Sequence, residues 1–560
     1  MTENVNKNLT ERVVASFGLT PDQRAAALER GRDVVVTAGA GSGKTRTLVA
    51  RYASLLADGC SPRRVAAITF TKKAAREMRS RVRQALTDLA QAALDDTERQ
   101  YWVALSAQMD SARIGTIHSL CSEILRAHPA EAGIDPRFEV LDEGRTAMLR
   151  HQVVTDSLPG LVERPEFELL LGTFSSGALE ELLFGLLNRR LEAREAFEQP
   201  AESRKLIRQE LERRLNSPRL SEPVAWLREV LTGNQLQSEG DKLAGMVQEL
   251  LGLWQSAEES LSGGDVFACI GSLFQARRTK MNGTYGRKDS LVKETVKELK
   301  AAYDNLLDPL LGGSNAKSEP PKAEDETRFE LILPLLRMVF EELHRTYETA
   351  LEQQQALDFD DLEYRAQQLL KLPKLRMRWQ SELQALLVDE FQDTNLRQRE
   401  IVEALAGAPQ GLGPISAGGR LFVVGDSRQS IYRFRRADVT VFREVQAEVQ
   451  KAGGLMLDLN RTYRAHADLL AGTGDLLSVL MGTEPDQARP YYVPFSPLQA
   501  ERQVPAAHLL APHVEIVLGL GEDSAEGRLQ GGRALAKRLL QLKAQGQIQK
   551  WDDVALLFRA

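Results

Sequence analysis

Three short segments hold residues whose types and order could do phosphate chemistry. The first is Ala38-Gly39-Ala40-Gly41-Ser42-Gly43-Lys44-Thr45. Glycines let backbone N–H groups curl round a phosphate with no Cβ in the way, and a helix starting at the end of the loop adds a favourable dipole. In that arrangement Lys44 reaches the β- and γ-phosphates of a nucleotide and the Thr45 hydroxyl holds Mg2+. The strict glycine-loop pattern has glycine where Ala38 stands, and a residue this small still permits the turn. The second segment is Leu386-Leu387-Val388-Asp389-Glu390-Phe391-Gln392-Asp393-Thr394. Alone, an Asp-Glu pair is more often a solvated strand end. Beside a glycine loop it reads as the other half of an ATPase site, with Asp389 near Mg2+ and Glu390 as the general base for water. The third is Gly425-Asp426-Ser427-Arg428-Gln429-Ser430-Ile431-Tyr432-Arg433-Phe434-Arg435. Gln429 is placed to sense a γ-phosphate. Tyr432 and Phe434, interleaved with Arg433 and Arg435, read either as a base-stacking surface or as a core aromatic pair flanked by surface arginines.

Such residues need strands to aim them. Residues 34–37 and 65–69 are short apolar runs, each followed by a helical pattern; after the second, Met78, Val82 and Leu86 recur at i, i+4, i+8. Residues 386–388 and 421–424 repeat the theme, and another α/β portion begins near Leu455 and ends in a strand-like run at 554–558. Buried runs alternating with helices predict a parallel sheet covered on both faces. Residues 145–350 differ: leucines at helical spacing sit among Glu and Arg, as in 179–191 and 206–215, which predicts an all-helical insertion. Its expected breaks are a turn at 262–264, a break at 281–290 and a Gly/Pro-bearing linker at 311–327.

Composition narrows the class without reaching the function. The 560 residues are 43% hydrophobic and 27% charged, ordinary values for a multidomain globular chain. No run of 18 apolar residues exists, so no membrane span is expected. Cys60, Cys121 and Cys269 show no metal-ligand spacing, which fits a reduced, cytoplasmic setting. A net charge of −6 neither suggests nor excludes nucleic acid, because a basic groove can hide inside an acidic total.

Taken together, the three segments resemble the UvrD/Rep group of superfamily 1 helicases, and further matches then align. Leu19-Thr20-Pro21-Asp22-Gln23 resembles the Q-motif, implying Gln23 on the adenine edge. Arg46 and Tyr463 match the residues that sandwich adenine. Residues 67–78 resemble motif Ia, implying a turn with Thr69, Phe70 and Thr71 on single-stranded DNA and Phe70 stacking on a base. Gly115-Thr116-Ile117-His118-Ser119 resembles motif Ib, implying another DNA contact at His118. Residues 357–362 match a family segment ahead of the Asp389 strand. Residues 459–465 resemble motif IV, implying that Arg464 reaches the γ-phosphate; Thr462 and Ala465 stand where the family has Asn and Ser.

The resemblance implies an α/β architecture: a RecA-like P-loop NTPase motor domain with a parallel sheet, a large all-helical insertion and the start of a second RecA-like domain. The expected divisions are 1–140 and 346–450 for the first motor domain, 141–345 for the insertion and 451–560 for the second domain. The ATP-binding set is Gln23, Ala38, Gly39, Ala40, Gly41, Ser42, Gly43, Lys44, Thr45, Arg46 and Tyr463; the catalytic set is Lys44, Asp389, Glu390, Gln429 and Arg464; Thr45 and Asp389 hold Mg2+. Residues 119–121 and 135–142, the long insertion and the ending at 551–559 look closest to the AddA and RecB motor subunits. That implies ATP and Mg2+ as cofactors, single-stranded and duplex DNA as partners, a second chain of a helicase–nuclease, and 3′→5′ movement in repair or recombination. Motifs V and VI and a nuclease are not recognisable, so the chain reads as truncated. Two other readings stay open: an ATP- and DNA-binding module with little turnover, and a P-loop enzyme acting on a small molecule.

Overall fold

The computed structural model describes residues 3–233, 241–281, 291–311, 323–407, 419–485 and 491–558. Most of two expected breaks, 281–290 and 311–327, lies outside the described residues; within the second, residues 323–327 are not linker but the start of the helix Ala323–Gln353. The chain forms two compact units, one of residues Met1–Pro136, Leu362–Pro485 and Tyr491–Ala560, the other chiefly Arg137–Asp361.

The first unit is built on six strands: β1 (Val34–Ala38), β2 (Val65–Thr69), β3 (Ile114–Thr116), β4 (Ala385–Val388), β5 (Leu421–Gly425) and β6 (Leu455–Leu459). Their order is β3-β2-β4-β5-β1-β6, and every pairing is parallel. In register, Val36 lies beside Val424 on one side and Leu457 on the other. Val34, Val35 and Val36 are fully buried, as a strand covered on both faces requires. Each such burial stabilises by about 1.5–3 kcal/mol. The helix Lys72–Gln91 packs its Met78, Val82 and Leu86 stripe inward, with Thr71 as its N-cap.

Parallel strands all end at the same edge, and that edge carries the chemistry. Gly39 follows β1, Phe70 follows β2, Asp389 follows β4, Asp426 follows β5 and Asn460 follows β6. The strand near Leu455, expected to open a second α/β domain, is instead the sixth strand of this sheet, because its apolar residues extend the β1 ladder.

Beyond β6, β7 (Arg461–His466) pairs in parallel with β8 (Gln499–Arg502). The helices Ala467–Met481 and Ser524–Ala544 bury none of their side chains. Among the described residues from 467 to 558, Ile548 alone is buried. The expected strand at 554–558 has no ladder partner among the described residues: Leu557 is 95% and Phe558 83% exposed. An apolar run becomes a strand only where a neighbour accepts its hydrogen bonds.

The second unit is helical, as expected, and a two-strand ribbon of Glu139–Val140 and Ala356–Leu357 brings its ends together. That ribbon carries the unit past both ends of 141–345. Its interior holds an ionic knot. Arg150 Nη2 lies 2.6 Å from Asp358, Arg190 bonds Asp358 at 2.9 Å and Asp361 at 2.6 Å, and Tyr347 Oη donates to Asp358 at 2.8 Å. Burial opposes ionisation of Asp358, but the two guanidiniums outweigh it and hold the carboxyl far below its usual range. Among the described residues no single helix is long and apolar enough to cross a membrane.

Removing one partner of a buried ion network leaves uncompensated charge. Asp358→Ala should therefore lower the stability of the helical unit by about 3–5 kcal/mol at pH 7. Because the folded pKa is depressed, the wild-type advantage is present above the unfolded value of 3.8 and is lost as pH falls below it. Urea titrations followed by amide exchange in residues 143–198, at pH 7 and at acid pH, test both statements.

Candidate nucleotide and nucleic-acid site

The loop after β1 turns back on itself: Ser42 N and Ser42 Oγ both donate to Gly39 O, at 3.2 and 2.8 Å. Gly41 and Gly43 take left-handed φ values of 74° and 87°. Both positions are also crowded. A Cβ on Gly41 would lie 2.6 Å from Arg464 Cβ, and one on Gly43 would lie 2.7 Å from Gln23 Nε2. Ala38 is a buried strand residue ahead of the turn, so its methyl group costs the loop nothing.

Lys44 begins the following helix and reaches Glu390, with Nζ 2.9 and 2.8 Å from the two carboxylate oxygens. Asp389 is anchored by its own amide, which donates to Ile68 O at 2.8 Å. Its carboxyl is pushed up to about 7, first by burial and then by the Glu390 charge, against a smaller opposing pull from Lys44. Asp393 is raised to about 6 by burial and the same neighbour. Three carboxyls beside one lysine make an oxygen-rich, anionic corner whose chemistry fits a hard divalent cation. Thr45, the next residue, is half-buried.

A cleft of about 280 Å³ adjoins the loop, lined by Thr20, Gln23, Ser42, Leu459, Asn460 and Tyr463 among others. Gln23 is 2% exposed, and its amide is engaged twice: Oε1 accepts from Thr20 N at 3.0 Å, and Nε2 donates to Ser42 O at 2.9 Å. In this structure it braces the glycine loop as well as lining the cleft. Tyr463 lines the cleft too, whereas Arg46 stands exposed on the helix and is not among the lining residues. Thr462, a departure from the family pattern, ties β7 to the loop. Its hydroxyl donates to Ala40 O at 2.7 Å and accepts from Arg464 N at 3.3 Å, while Tyr463 N donates to Gly41 O at 3.0 Å. The main chain of Arg464 is thereby held against Gly41, its side chain exposed.

An aromatic ladder occupies the same sheet edge. Phe70 and Tyr432 have ring centroids 4.5 Å apart, and Tyr432 and Phe434 5.8 Å apart. Phe434 is 77% exposed, so a core role is excluded for it. The side chain of Arg435 lies outside the described residues. Three other residues expected on DNA have local partners. Thr69 Oγ1 donates to Thr71 O at 3.2 Å, Thr71 Oγ1 accepts from Ala74 N at 3.1 Å as a helix cap, and His118 Nε2 lies 3.0 Å from Glu363.

Residues 19–450 match the family described as UvrD/REP helicase N-terminal domain. The chain belongs to this family. It is also similar to ATP-dependent helicase/nuclease subunits from Bacillus thuringiensis (strain Al Hakam), Bacillus cereus (strain AH187) and Bacillus anthracis. With each it is 27% identical over an alignment of 508 positions that covers 83% of this chain and 39% of the relative. The chain thus spans about two fifths of the length of these curated relatives.

Within this UvrD/REP chain, sequence reasoning passed over Gln392, although it lies two residues from Glu390. The side chain of Gln392 is 1% exposed. Its Nε2 donates to Glu390 Oε2 at 2.9 Å, and its Oε1 accepts from Asp426 N at 3.0 Å. Gly425 makes room for it, since a Cβ there would lie 2.7 Å from Oε1. Asp426 in turn accepts from Gln429 Nε2 at 2.7 Å and Arg428 Nε at 2.9 Å, and Ser430 Oγ returns to Gln392 O at 3.1 Å. One path therefore leads from Lys44 through Glu390, Gln392 and Asp426 to the turn that bears Tyr432. In the sequence, its place within a motif is the only signal; the contact across strands appears only in three dimensions.

The raised Asp389 pKa has a stability consequence. The folded chain binds that proton more tightly than the unfolded chain, so ionisation opposes folding. The cost is full above about pH 7 and fades as pH falls toward 3.8. Asp389→Asn should raise the thermal midpoint in EDTA at pH 8 and move it less near pH 5. A midpoint lowered at pH 8 contradicts this account.

Proposed function

We propose that this chain is the nucleotide-binding and strand-gripping part of an ATP-dependent DNA helicase acting in repair or recombination. The observation that carries the reading is the hydrogen-bonded path from Lys44 to the Tyr432 turn, set in a chain of the UvrD/REP family. In a P-loop enzyme acting on a small molecule, the exposed aromatic ladder at the end of that path has no role.

Lys44 would leave Glu390 to meet a nucleotide phosphate, exchanging one anion for another. Glu390 Oε2 keeps Gln392 as its donor, whereas Oε1, released by Lys44, becomes able to take a proton from an attacking water. Mg2+ held by Thr45 and Asp389 would offset phosphate charge. Gln23 and Tyr463 line the adenine side of the cleft, with Arg46 flanking it from the helix. Gln429 and Arg464 respond to the γ-phosphate. Phe70, Tyr432 and Phe434 stack on the bases of a single strand, which resemblance implies is tracked 3′→5′. Thr69, Thr71 and His118 contact its backbone by exchanging their local partners. The second motor domain is proposed to begin after Leu459. Duplex DNA as a further substrate, a cytoplasmic setting and a second chain of a helicase–nuclease belong to the same proposal; the second chain is supported by relatives whose name is helicase/nuclease subunit.

A second reading is favoured by one observation, that the matched relatives are far longer than this chain. On that reading the chain binds ATP and DNA but turns over little unaided. Rates of ATP hydrolysis with and without single-stranded DNA decide between the two. Strong stimulation, abolished in Lys44→Ala, supports the motor. Tight binding of both ligands without turnover supports the binding module, and turnover indifferent to DNA contradicts both.

If turnover is measurable, Glu390→Gln should lower kcat by about 10²–10⁴-fold while nucleotide still binds. Gln392→Leu separates coupling from binding: the DNA-stimulated rate should fall roughly tenfold or more with nucleotide affinity little changed. Equal losses in basal and stimulated rates would show that Gln392 supports the site without linking it to DNA.

A further inference from the structure

The region after β6 has almost no core, yet it brings three metal-ligating side chains together. His466 ends β7, Asp468 lies in the first turn of the helix Ala467–Met481, and His513 comes from a distant segment. One ligand atom from each lies within 4.8 Å of the other two. The imidazoles meet edge-on with ring centroids 4.6 Å apart, and His513 Nε2 is 3.9 Å from Asp468 Oδ2. His466 is buried, Asp468 is exposed and His513 is half-buried. The segment carrying His513 packs closely here, since a Cβ on Gly472 would lie 3.1 Å from Val514 Cγ2.

We propose that His466, Asp468 and His513 bind a divalent transition-metal ion of the zinc class. Two imidazoles and a carboxylate suit Zn2+ or Co2+ better than Mg2+, which prefers oxygen ligands and water. Bonds of about 2.0–2.2 Å require the three ligand atoms to close up from their present separations. Solvent completes the coordination on the Asp468 side. Nδ1 of His466 is occupied as the acceptor of the Leu469 N–H at 3.3 Å, which leaves Nε2 as the nitrogen for the ion once its proton has moved to Nδ1 or to solvent. Neutral imidazole bound through Nε2 carries its proton on Nδ1, so ligation exchanges this cap for a metal bond. The ion would clip the 511–514 segment to the strand that carries Arg464, fixing a region in which Ile548 alone is buried among the described residues from 467 onward. Metal replaces core in this way where apolar burial is insufficient. The site is independent of the ATP reading.

The test is a Co2+ titration of the full chain in excess Mg2+ and ADP, which keep the P-loop corner occupied. Visible absorption is compared for wild type, His513→Asn, Asp468→Asn and, as control, His508→Asn. One bound Co2+ with four- or five-coordinate bands, displaced by Zn2+, is expected for wild type and the control. Each ligand variant should weaken binding at least about tenfold. Wild type that takes up no Co2+ under these conditions, or ligand variants that bind like wild type, overturn the site. Asp468 is exposed, so Asp468→Asn keeps the comparison interpretable if a histidine variant misfolds. In that case zinc-dependent protease resistance of residues 461–514 in wild type, absent in Asp468→Asn, supports the site, and its equal presence in both overturns it.

Discussion

Lys44 and Glu390 meet although the strands that carry them never touch. β1 and β4 are separated by β5, and the two residues are 346 positions apart. Their pairing exists only because parallel strands deliver their ends to one edge. The intervening strand matters as much as the two it separates. β5 ends in Gly425 and Asp426 follows it, so the gap between lysine and glutamate is backed by an amide that Gln392 can reach. Shift β5 by one residue and the Val36–Val424 register is lost together with that amide. The buried valines and the site chemistry are one constraint seen from two ends.

That edge is electrostatically uncomfortable. Asp389 and Asp393 are both held above their ordinary pKa by burial and by Glu390. Glu390 itself sits at φ 53°, a left-handed conformation that costs a non-glycine residue on the order of 1–3 kcal/mol. Lys44 is the cation set against this corner, in direct contact with Glu390. The sheet beneath, with its fully buried valines, is what over-determines so strained a corner. Contrast the ionic knot of the helical unit, where two arginines stabilise the ionised Asp358. There charge is satisfied and the carboxyl falls; at the sheet edge charge is unsatisfied and the carboxyls rise. The first arrangement suits structure and the second suits ligand exchange.

Much of this is legible in the sequence because it is local. The glycine loop, the Asp389-Glu390 pair and the alternation of short apolar runs with helices are patterns within a few residues, and the sheet and its loaded edge follow from them. What escapes depends on partners distant in sequence. Gln392 has no special composition around it; its role is set by an amide 34 residues away. Thr462 looks like a departure from a pattern, yet its hydroxyl makes the bridge to Ala40. Leu455–Leu459 reads as the opening of a new domain because apolar runs carry no label for which ladder they join. Residues 554–558 read as a strand for the same reason and find no ladder among the described residues. Thr71 shows a local role that its motif position does not announce: its hydroxyl caps the helix that follows.

The path through Gln392 also limits how signals could pass. Its Nε2 faces two carboxylates, Glu390 at 2.9 Å and Asp393 at 3.3 Å, while Oε1 is fixed by Asp426. A carboxamide is planar, so turning Nε2 from one carboxylate toward the other rotates Oε1 against the Asp426 amide. Asp426 holds Gln429 and Arg428, and Ser430 holds the Gln392 carbonyl. The turn bearing Tyr432 is thus gripped at both its side-chain and main-chain ends by a single buried residue. Close packing makes such a grip discrete rather than elastic, since a side chain 1% exposed has few other positions to take. The proposed coupling between phosphate and aromatic ladder would therefore need no large motion at its origin. On that proposal, loss of Lys44 from Glu390 leaves Gln392 as the donor that stays on Oε2, and the turn is held through that same Gln392.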